Sequence, residues 1–395
     1  GFYLPFKQTT EAEGFSTVTY TGTGSSQAIK GVGFEPDVIW VKARNTASYG
    51  NKLYDSVRGF SQELTVDATD GEYTLPGRVS ANSDGFDLGT YAGVNGSGNS
   101  YVAWCWDAGT GSAVSNTDGS ITSTVKANTA KGFSIATYTG TGASGGATVG
   151  HGLSSAPEFI ITKPRSTTGG WLSGATAIGW TKYIALNSTG AEVTDADAWN
   201  NTAPTSSVFS VDSASGSGYS NGTGVDYVAY CFHSVSGYSS IGSYTGTGAS
   251  NAINCGFKPA FVMIKATDDV ESWVMMDNTR DPNIASITDN LLANVSLAEN
   301  AVDGDRVEVE FTSTGFTLKS TQSDSINNEN GKNYIYMAFA DTRDATFFGD
   351  TSGNGNNWTP NALNNTDVVP DSPVSGGNFA TLNPLDRTDS SVITL

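Results

Sequence analysis

Apolar and polar residues alternate with a period of two along much of the chain. The segments FSTVTYTG (15–22), FSIATYTG (133–140) and VEVEFTSTGFTLKS (307–320) show this alternation, which is typical of strands with one buried face. Turn-forming residues recur every 8–12 positions, as they do in sandwiches and barrels. The pattern predicts an all-β chain of jelly-roll-like β-sandwiches. The one segment that favours a short helix is Thr288–Val302.

Two kinds of segment, VIWVK and YVAWCW, are apolar at odd and even positions alike. Strands of this composition are covered on both faces. Two alternatives remain open: they are central strands between two layers of one domain, or they bury one face in a core and the other at a domain or subunit contact.

The motif YTGTG occurs three times, at Tyr20–Gly24, Tyr138–Gly142 and Tyr244–Gly248. Each copy is followed by a strand ending in an equivalent lysine (Lys42, Lys163, Lys265), then by a Gly/Asn-rich loop and an aromatic strand. The spacing is that of whole domains. It predicts three tandem homologous β-sandwich domains, 15–110, 132–237 and 239–342, which we call repeats 1, 2 and 3.

Within each repeat, YTGTG is expected to end the first strand and to begin a flexible loop of variable sequence. Residues 1–14 are interpreted as an N-terminal linker segment. Residues 343–395, rich in Asn, Pro and Gly, are expected to form an extended linker leading to a further domain. The two ends of the chain suggest a piece of a longer protein.

Charge excludes some classes of partner. The net charge is −19 and charged residues make up 15% of the chain, so we expect no binding to nucleic acid phosphates and no attraction to anionic membranes. The sequence contains no run of about 20 apolar residues that would insert into a membrane.

No catalytic constellation is evident. His151 and His233 occupy positions that the sister repeats fill with other residues, so neither is predicted to be a base. The Asp-x-x-Arg pairs Asp55–Arg58 and Asp277–Arg280 are interpreted as salt-bridged turns, and repeat 2 is aligned with Asn187 and Gly190 at that place. We predict no catalytic residue.

Metal and thiol chemistry are also not indicated. The acidic loops 194–197 and 303–305 lack the spacing of an EF-hand, so we predict no metal and no cofactor, with a loop-bound Ca²⁺ left open. Cys105 and Cys231 lie at equivalent places in apolar runs and are predicted to be small buried side chains. Cys255 has no predicted partner.

Aromatic residues in polar loops are the candidate binding residues. Trp171, Trp180 and Trp199 lie among Gly, Ser, Thr, Asp and Asn, and exposed aromatic rings in such loops can stack on sugars. They are therefore the candidate glycan-binding residues. The alternative is that the three rings fill the core beneath the loops.

A resemblance adds a biological context. The phrases FEPDVIWVKARN, YVAWCW and GNNWTPNALNNTDVVPDSPVSGGNFATLNPL resemble large virion proteins of marine tailed bacteriophages, including tail fibres and other host-recognition proteins. In those proteins such repeats are often followed by a SPRY- or lectin-like domain. The resemblance covers nearly the whole chain and is most specific in the last phrase.

The resemblance implies a non-enzymatic structural and host-attachment segment on the virion exterior, on the tail or the capsid, with domains following one another along a fibre. Its implied partners are other virion proteins and a host cell-surface glycan or protein. Many fibres are trimers, so a homotrimer is expected. The alternatives are a capsid fibre or decoration protein, the carbohydrate-binding modules of a polysaccharide-degrading enzyme, and a bacterial adhesin.

Overall fold

The computed structural model of the protein describes residues 12–213, 220–302 and 304–342. All of these belong to one compact unit, Gly1–Phe347. Residues 1–11 and 343–395 lie outside the described residues, and with them most of the predicted N-terminal segment and all of the predicted C-terminal linker. The described residues contain 27 strands, two four-residue α-helices and one 3₁₀ helix, so the all-β prediction is confirmed.

The strands follow one another with short connections. Repeat 1 contains β1 (Phe15–Thr21), β2 (Gln27–Lys30), β3 (Val38–Ala43), β4 (Lys52–Asp55), β5 (Gln62–Thr65), β6 (Tyr73–Thr74), β7 (Val79–Asn82), β8 (Gly85–Leu88), α1 (Ala92–Asn95) and β9 (Ser100–Trp106). Two strands, β10 (Val114–Asn116) and β11 (Ser123–Asn128), lie between repeats 1 and 2.

Repeat 2 contains β12 (Phe133–Thr139), β13 (Ala147–Gly150), β14 (Phe159–Pro164), β15 (Leu172–Ala175), β16 (Lys182–Ala185), β17 (Val193–Thr194), α2 (Ala196–Trp199), β18 (Val208–Val211) and β19 (Asp226–Phe232). Repeat 3 contains β20 (Ser239–Thr245), β21 (Asn251–Asn254), β22 (Pro259–Ala266), β23 (Val274–Asp277), β24 (Leu291–Leu292), the 3₁₀ helix Gly304–Arg306, β25 (Val309–Thr312), β26 (Gly315–Leu318) and β27 (Asn333–Ala340).

Each repeat has a larger and a smaller antiparallel sheet. The larger sheets have the strand orders β1-β9-β3-β4-β5-β6, β10-β11-β12-β19-β14-β15-β16-β17 and β20-β27-β22-β23-β24. The smaller sheets are β2-β8-β7, β13-β18 and β21-β26-β25. The aromatic strand (β9, β19 or β27) lies between the first strand and the lysine-bearing strand in every case, which places its side chains at the centre of the larger sheet.

The two faces of each larger sheet bury different cores. In β3, Trp40 faces a central core that includes residues of all three repeats, whereas Ile39 and Val41 face the smaller sheet of repeat 1. In β9, Trp104 and Cys105 divide in the same way. The strands that are apolar at both parities therefore have one face in their own sandwich and one at a contact between repeats, as the second alternative predicts.

The three larger sheets meet around a common axis. Trp106 and Phe232 end their aromatic strands, Phe339 is the penultimate residue of the third, and the three rings form a triangle with centroids 6.5, 6.2 and 5.8 Å apart. A cavity of about 30 Å³ in the central core is lined by apolar side chains such as Val38 and Met337, and it is too small for a ligand larger than about two water molecules. The repeats therefore pack side by side as one body and do not follow one another along a line.

The helix expected over Thr288–Val302 is not formed. This segment holds β24 and turns, because the buried Asn290 amide bonds the carbonyl oxygens of Thr288 and Val302 at 3.0 and 2.9 Å and folds the segment back on itself. Side-chain bonding of this kind competes with helical backbone pairing.

Candidate functional site

Both described ends of the chain lie at one end of the molecule. The backbone N–H of Glu13 donates to Oγ1 of Thr342 at 2.9 Å, and the ring of Phe15 stacks on Phe339 with centroids 4.8 Å apart. Repeat 2 begins at the same end, where Phe133 stacks on Phe232 of the aromatic triangle at 4.7 Å. We call this the connection end.

The YTGTG motifs lie at the opposite end. The first strands β1, β12 and β20 each have seven residues and so extend about 20 Å from the connection end. They stop at Thr21, Thr139 and Thr245. The loops that follow, residues 22–26, 140–146 and 246–250, form what we call the loop end. The rest of each predicted variable loop is not loop but strand (β2, β13, β21).

A buried asparagine fixes each of these loops. Asn95 is fully buried; its Oδ1 accepts the backbone N–H of Thr23 at 2.9 Å, and its Nδ2 donates to the carbonyl oxygen of Ser25 at 2.7 Å. Asn221 and Asn328 repeat this arrangement in the other two repeats. The loops are therefore held by their backbone, and the expectation of flexibility is not supported.

The tyrosine and first glycine of YTGTG complete the arrangement. Tyr20 stacks on Tyr101 at 5.2 Å and donates its hydroxyl to the carbonyl oxygen of Val94 at 2.8 Å, and burial raises the pKa of the Tyr20 hydroxyl well above its ordinary value. A Cβ at Gly22 would lie 2.2 Å from the carbonyl oxygen of Gly96, so only glycine fits. The same tyrosine stack and close approach recur in repeats 2 and 3. YTGTG is thus a structural motif that sets the path of the loop.

The loop end offers hydrogen-bonding groups and little else. Its exposed side chains are mainly hydroxyls: Thr23, Ser25, Ser26, Thr141, Ser144, Thr247 and Ser250. In the part of the chain that the structure describes, no three His, Cys, Asp or Glu side chains form a group able to hold a metal ion. This surface can recognise polar, uncharged ligands through hydrogen bonds.

The three predicted glycan-binding tryptophans are buried, so the expectation that they are exposed is wrong. Trp171 lies in the central core and donates its indole N–H to the carbonyl oxygen of Thr65 in repeat 1 at 3.0 Å. Trp180 and Trp199 pack edge to face at 5.5 Å inside the sandwich of repeat 2. The alternative, that the rings fill the core, is confirmed. One sequence signal indicated that Trp171 is buried. Trp171 and Trp273 are equivalent residues, because each directly precedes the strand that follows the lysine-bearing strand of its repeat.

The Asp-x-x-Arg turns are salt-bridged as predicted, and they also join repeats. In repeat 1, Arg58 Nε lies 2.5 Å from Asp55 Oδ2, both side chains being fully buried, and the hydroxyl of Tyr230 in repeat 2 donates to the same oxygen at 2.7 Å. Asp277 of repeat 3 accepts in the same way from the indole N–H of Trp104 in repeat 1, at 3.1 Å.

Repeat 2 lacks the Asp–Arg pair, as predicted. The residues that replace the pair are, however, not the ones that the sequence alignment predicted. The pairing of β14 with β15 puts Ala175 opposite Phe159, as Asp55 lies opposite Val38. The equivalent residues are thus Ala175 and Ile178, both in the central core, and not Asn187 and Gly190. The facing repeat has Met337 where the other two have Trp104 and Tyr230, so donor and acceptor are lost together.

Arginine–glutamate pairs close two contacts between repeats. Arg165 of repeat 2 holds Glu72 of repeat 1 with two bonds of 2.8 Å, and Arg44 of repeat 1 holds Glu299 of repeat 3, the shortest bond being 2.7 Å. The backbone N–H of each glutamate also donates to the carbonyl oxygen of its arginine. Bidentate geometry of this kind fixes orientation as well as distance.

The three equivalent lysines are buried beneath backbone carbonyl groups. Lys42, Lys163 and Lys265 are fully buried, and burial lowers the pKa of each to about 8. Each Nζ donates to backbone carbonyl oxygens, such as that of Gly169 at 2.8 Å from Lys163.

His151 and the two equivalent cysteines, Cys105 and Cys231, are buried. His151 is buried, its Nδ1 accepts the N–H of Leu153 at 3.1 Å, and its Nε2 lies 3.1 Å from the carbonyl oxygen of Thr205. Burial lowers the pKa of His151. Cys105 and Cys231 are buried free thiols, as predicted, and burial raises the pKa of both.

The structure describes the first acidic loop, 194–197, completely and the second only in part. In the first, Asp195 Oδ1 accepts the backbone N–H of Asp197 at 2.9 Å and caps α2. The second, 303–305, lies partly outside the described residues.

No helix within the described residues is long and apolar enough to cross a membrane. Comparison with curated proteins and with solved structures gave no match. The sequence profile of one family, described as a domain of unknown function, DUF7483, matches residues 10–343. This stretch spans all three repeats, and the chain therefore belongs to the DUF7483 family.

Proposed function

We propose that this protein is a non-enzymatic attachment module on the exterior of a bacteriophage virion, carried by a tail fibre, whose loop end contacts a glycan or protein of the host cell. One observation carries the proposal: the bond between Glu13 and Thr342 puts both chain connections at one end, and the three YTGTG loops lie at the other. A module attached in this way presents its loop end outward.

The number of loops supports a role in attachment. Three equivalent loops around one axis can engage a repeating surface at the same time, and linked weak contacts then give an affinity far above that of each one alone. Cell-surface polysaccharides are repeating ligands rich in hydroxyl groups, which match the hydroxyl groups of the loop end. The virion context rests on the resemblance of the repeats and of the last phrase of the chain to phage host-recognition proteins.

The test compares two matched triple variants of the 395-residue chain. One places arginine at exposed loop-end residues, Ser26→Arg, Ser144→Arg and Ser250→Arg. The control places arginine at exposed residues in the segments between strands at the connection end, Thr110→Arg, Thr129→Arg and Ser236→Arg. Binding of the fluorescently labelled proteins is measured on host cells and on an array of bacterial polysaccharides.

We expect wild type and the connection-end control to bind equally, and the loop-end variant to bind at least about tenfold more weakly, a loss of about 1.4 kcal/mol or more. Equal binding by the two variants would show that the loop end is not the contact surface. A wild-type protein that binds neither cells nor polysaccharides would contradict the attachment function itself.

A further inference from the structure

A lysine and an asparagine face each other across β3 and β4 of repeat 1. Val41 is opposite Lys52 at the last pair in the register of these strands, and Lys42 and Asn51 are the residues next beyond that pair. Lys42 Nζ and Asn51 Nδ2 donate to the same carbonyl oxygen, that of Val295, at 2.7 and 3.2 Å. The two nitrogen atoms are therefore separated by at most the sum of these two distances.

An aspartate completes the group. Asp67 Oδ1 accepts the backbone N–H of Asn51 at 2.6 Å, and the charge of Asp67 acts on Lys42. Asn51 is fully buried, and its Oδ1 accepts no hydrogen bond from any described residue. A buried carbonyl oxygen without a donor is costly.

The other two repeats have the lysine but neither of its companions. Trp171 and Trp273 replace Asn51, and their backbone N–H groups donate at 2.9 Å to Asn187 and Asn294, which replace Asp67. The amide opposite the lysine and the acid beside it thus occur together, in repeat 1 alone. A purely structural lysine would not require this joint change, because Lys163 is held by backbone carbonyl groups without it.

We propose that Lys42 and Asn51 form an intramolecular isopeptide bond, with Asp67 as the proton-transferring group. The neutral Nζ of Lys42 attacks Cγ of Asn51, and the Asp67 carboxylate accepts the proton that Nζ releases. The Cγ–Nδ2 bond then breaks, and the proton lost by Nζ passes through Asp67 to the leaving group. The products are one Lys42 Nζ–Asn51 Cγ amide and one molecule of ammonia, and no oxidant or other reactant is consumed.

The surroundings favour this step. Desolvation lowers the pKa of Lys42 to about 8, so an appreciable part of the amine is neutral near neutral pH. The side chains of Lys42 and Asn51 are fully buried, which limits the competing attack of water on the amide. The bond would join β3 to the start of β4 beside Val295, and so at the contact of repeat 1 with repeat 3.

The test is mass spectrometry of the purified 395-residue chain, intact and after trypsin. We expect an intact mass lower than that of the sequence by one ammonia molecule, and a branched peptide joining residues 31–44 to 45–52 without cleavage after Lys42. The matched lysine of repeat 2, Lys163, cannot report cleavage because Pro164 follows it, so Lys265 of repeat 3 is the internal control and should be cleaved.

Two variants assign the roles. Asn51→Ala should restore cleavage after Lys42, and Asp67→Asn should give the full, uncross-linked mass while keeping a β-sheet circular dichroism spectrum. A full wild-type mass would overturn the proposal, and so would ammonia loss with normal cleavage after Lys42, since that indicates an imide at an asparagine. If either variant fails to fold, the wild-type peptide map still decides.

Discussion

Single buried polar side chains join the three repeats. Asp55 and Asp277 each accept a hydrogen bond from a neighbouring repeat, and the sequence predicted their ion pairs because Asp-x-x-Arg spacing fits one turn. It could not predict the donors Tyr230 and Trp104, since these come from residues more than a hundred positions away. Their burial depends on contacts that a strand pattern does not encode.

The contact between repeats 2 and 3 has apolar residues in place of the Asp–Arg pair and its donor. Copying these residues into repeats 1 and 2 tests what the Asp55–Arg58 ion pair contributes to stability. Asp55→Ala removes the buried partner of Arg58 and leaves only the longer contact with Glu72 at 3.3 Å, so we expect a loss of about 3 kcal/mol in the free energy of unfolding. Adding Arg58→Ile and Tyr230→Met copies the Ala175, Ile178 and Met337 set. The triple variant should regain about 1–3 kcal/mol, measured by denaturant titration. A triple variant no more stable than Asp55→Ala would show that the networks are not interchangeable.

His151 makes stability depend on pH. Its folded pKa lies below the ordinary value of 6.5 because the ring is buried. Below pH 6.5 the unfolded chain therefore binds a proton that the folded chain lacks, and the free energy of unfolding falls as pH falls. The neutral variant His151→Gln should lose less stability than wild type between pH 7 and pH 5. Equal losses in parallel urea titrations would contradict this role.

At the scale of secondary-structure elements, the strands could be predicted from the sequence, whereas the path of the loops and the burial of the tryptophans could not. The strands around YTGTG were predictable because alternation and turn residues are local. The path of the loop was not, because it depends on Asn95 and on the approach of Gly22 to Gly96. The tryptophans of repeat 2 were placed on the surface because polar neighbours suggested exposure. In the structure, Trp171 lies at the contact of two repeats, and a local pattern cannot reveal such a contact.

The close approach at YTGTG gives a direct test of the motif. Gly22→Ala puts a methyl group 2.2 Å from a backbone oxygen, and we expect a loss of about 1–3 kcal/mol or more from overpacking. The control is Gly190→Ala, where only Ser188 Oγ comes within 4 Å, at 3.4 Å, so the change should stay within about 0.5 kcal/mol. Thermal unfolding measures both. A tolerated Gly22→Ala would mean that the loop path is not fixed by this contact.

At the level of the whole molecule, the central core makes the repeats depend on one another. Each larger sheet leaves one apolar face to be covered by the other two repeats. Spacing in the sequence suggested separate domains, because a repeat long enough to fold alone was present three times. The shared core could not be inferred, since the same apolar strands also suit a contact between subunits.

This dependence predicts how fragments behave. Residues 12–342 should fold as a soluble unit with one cooperative transition, whereas residues 132–237 alone would expose Trp171, Tyr230 and Phe232 and should aggregate or remain unfolded. Expression of both fragments followed by circular dichroism and size-exclusion chromatography checks this. A stable, monomeric repeat 2 would show that the central core is not needed for folding.

The proposed function depends most directly on where the protein sits. Under the proposed virion location, an antibody raised against residues 12–342 should label purified phage particles, which immunogold electron microscopy can image. We expect gold particles on the tail fibres. Label confined to the capsid would contradict the tail-fibre assignment, and virions without label would contradict the virion location itself.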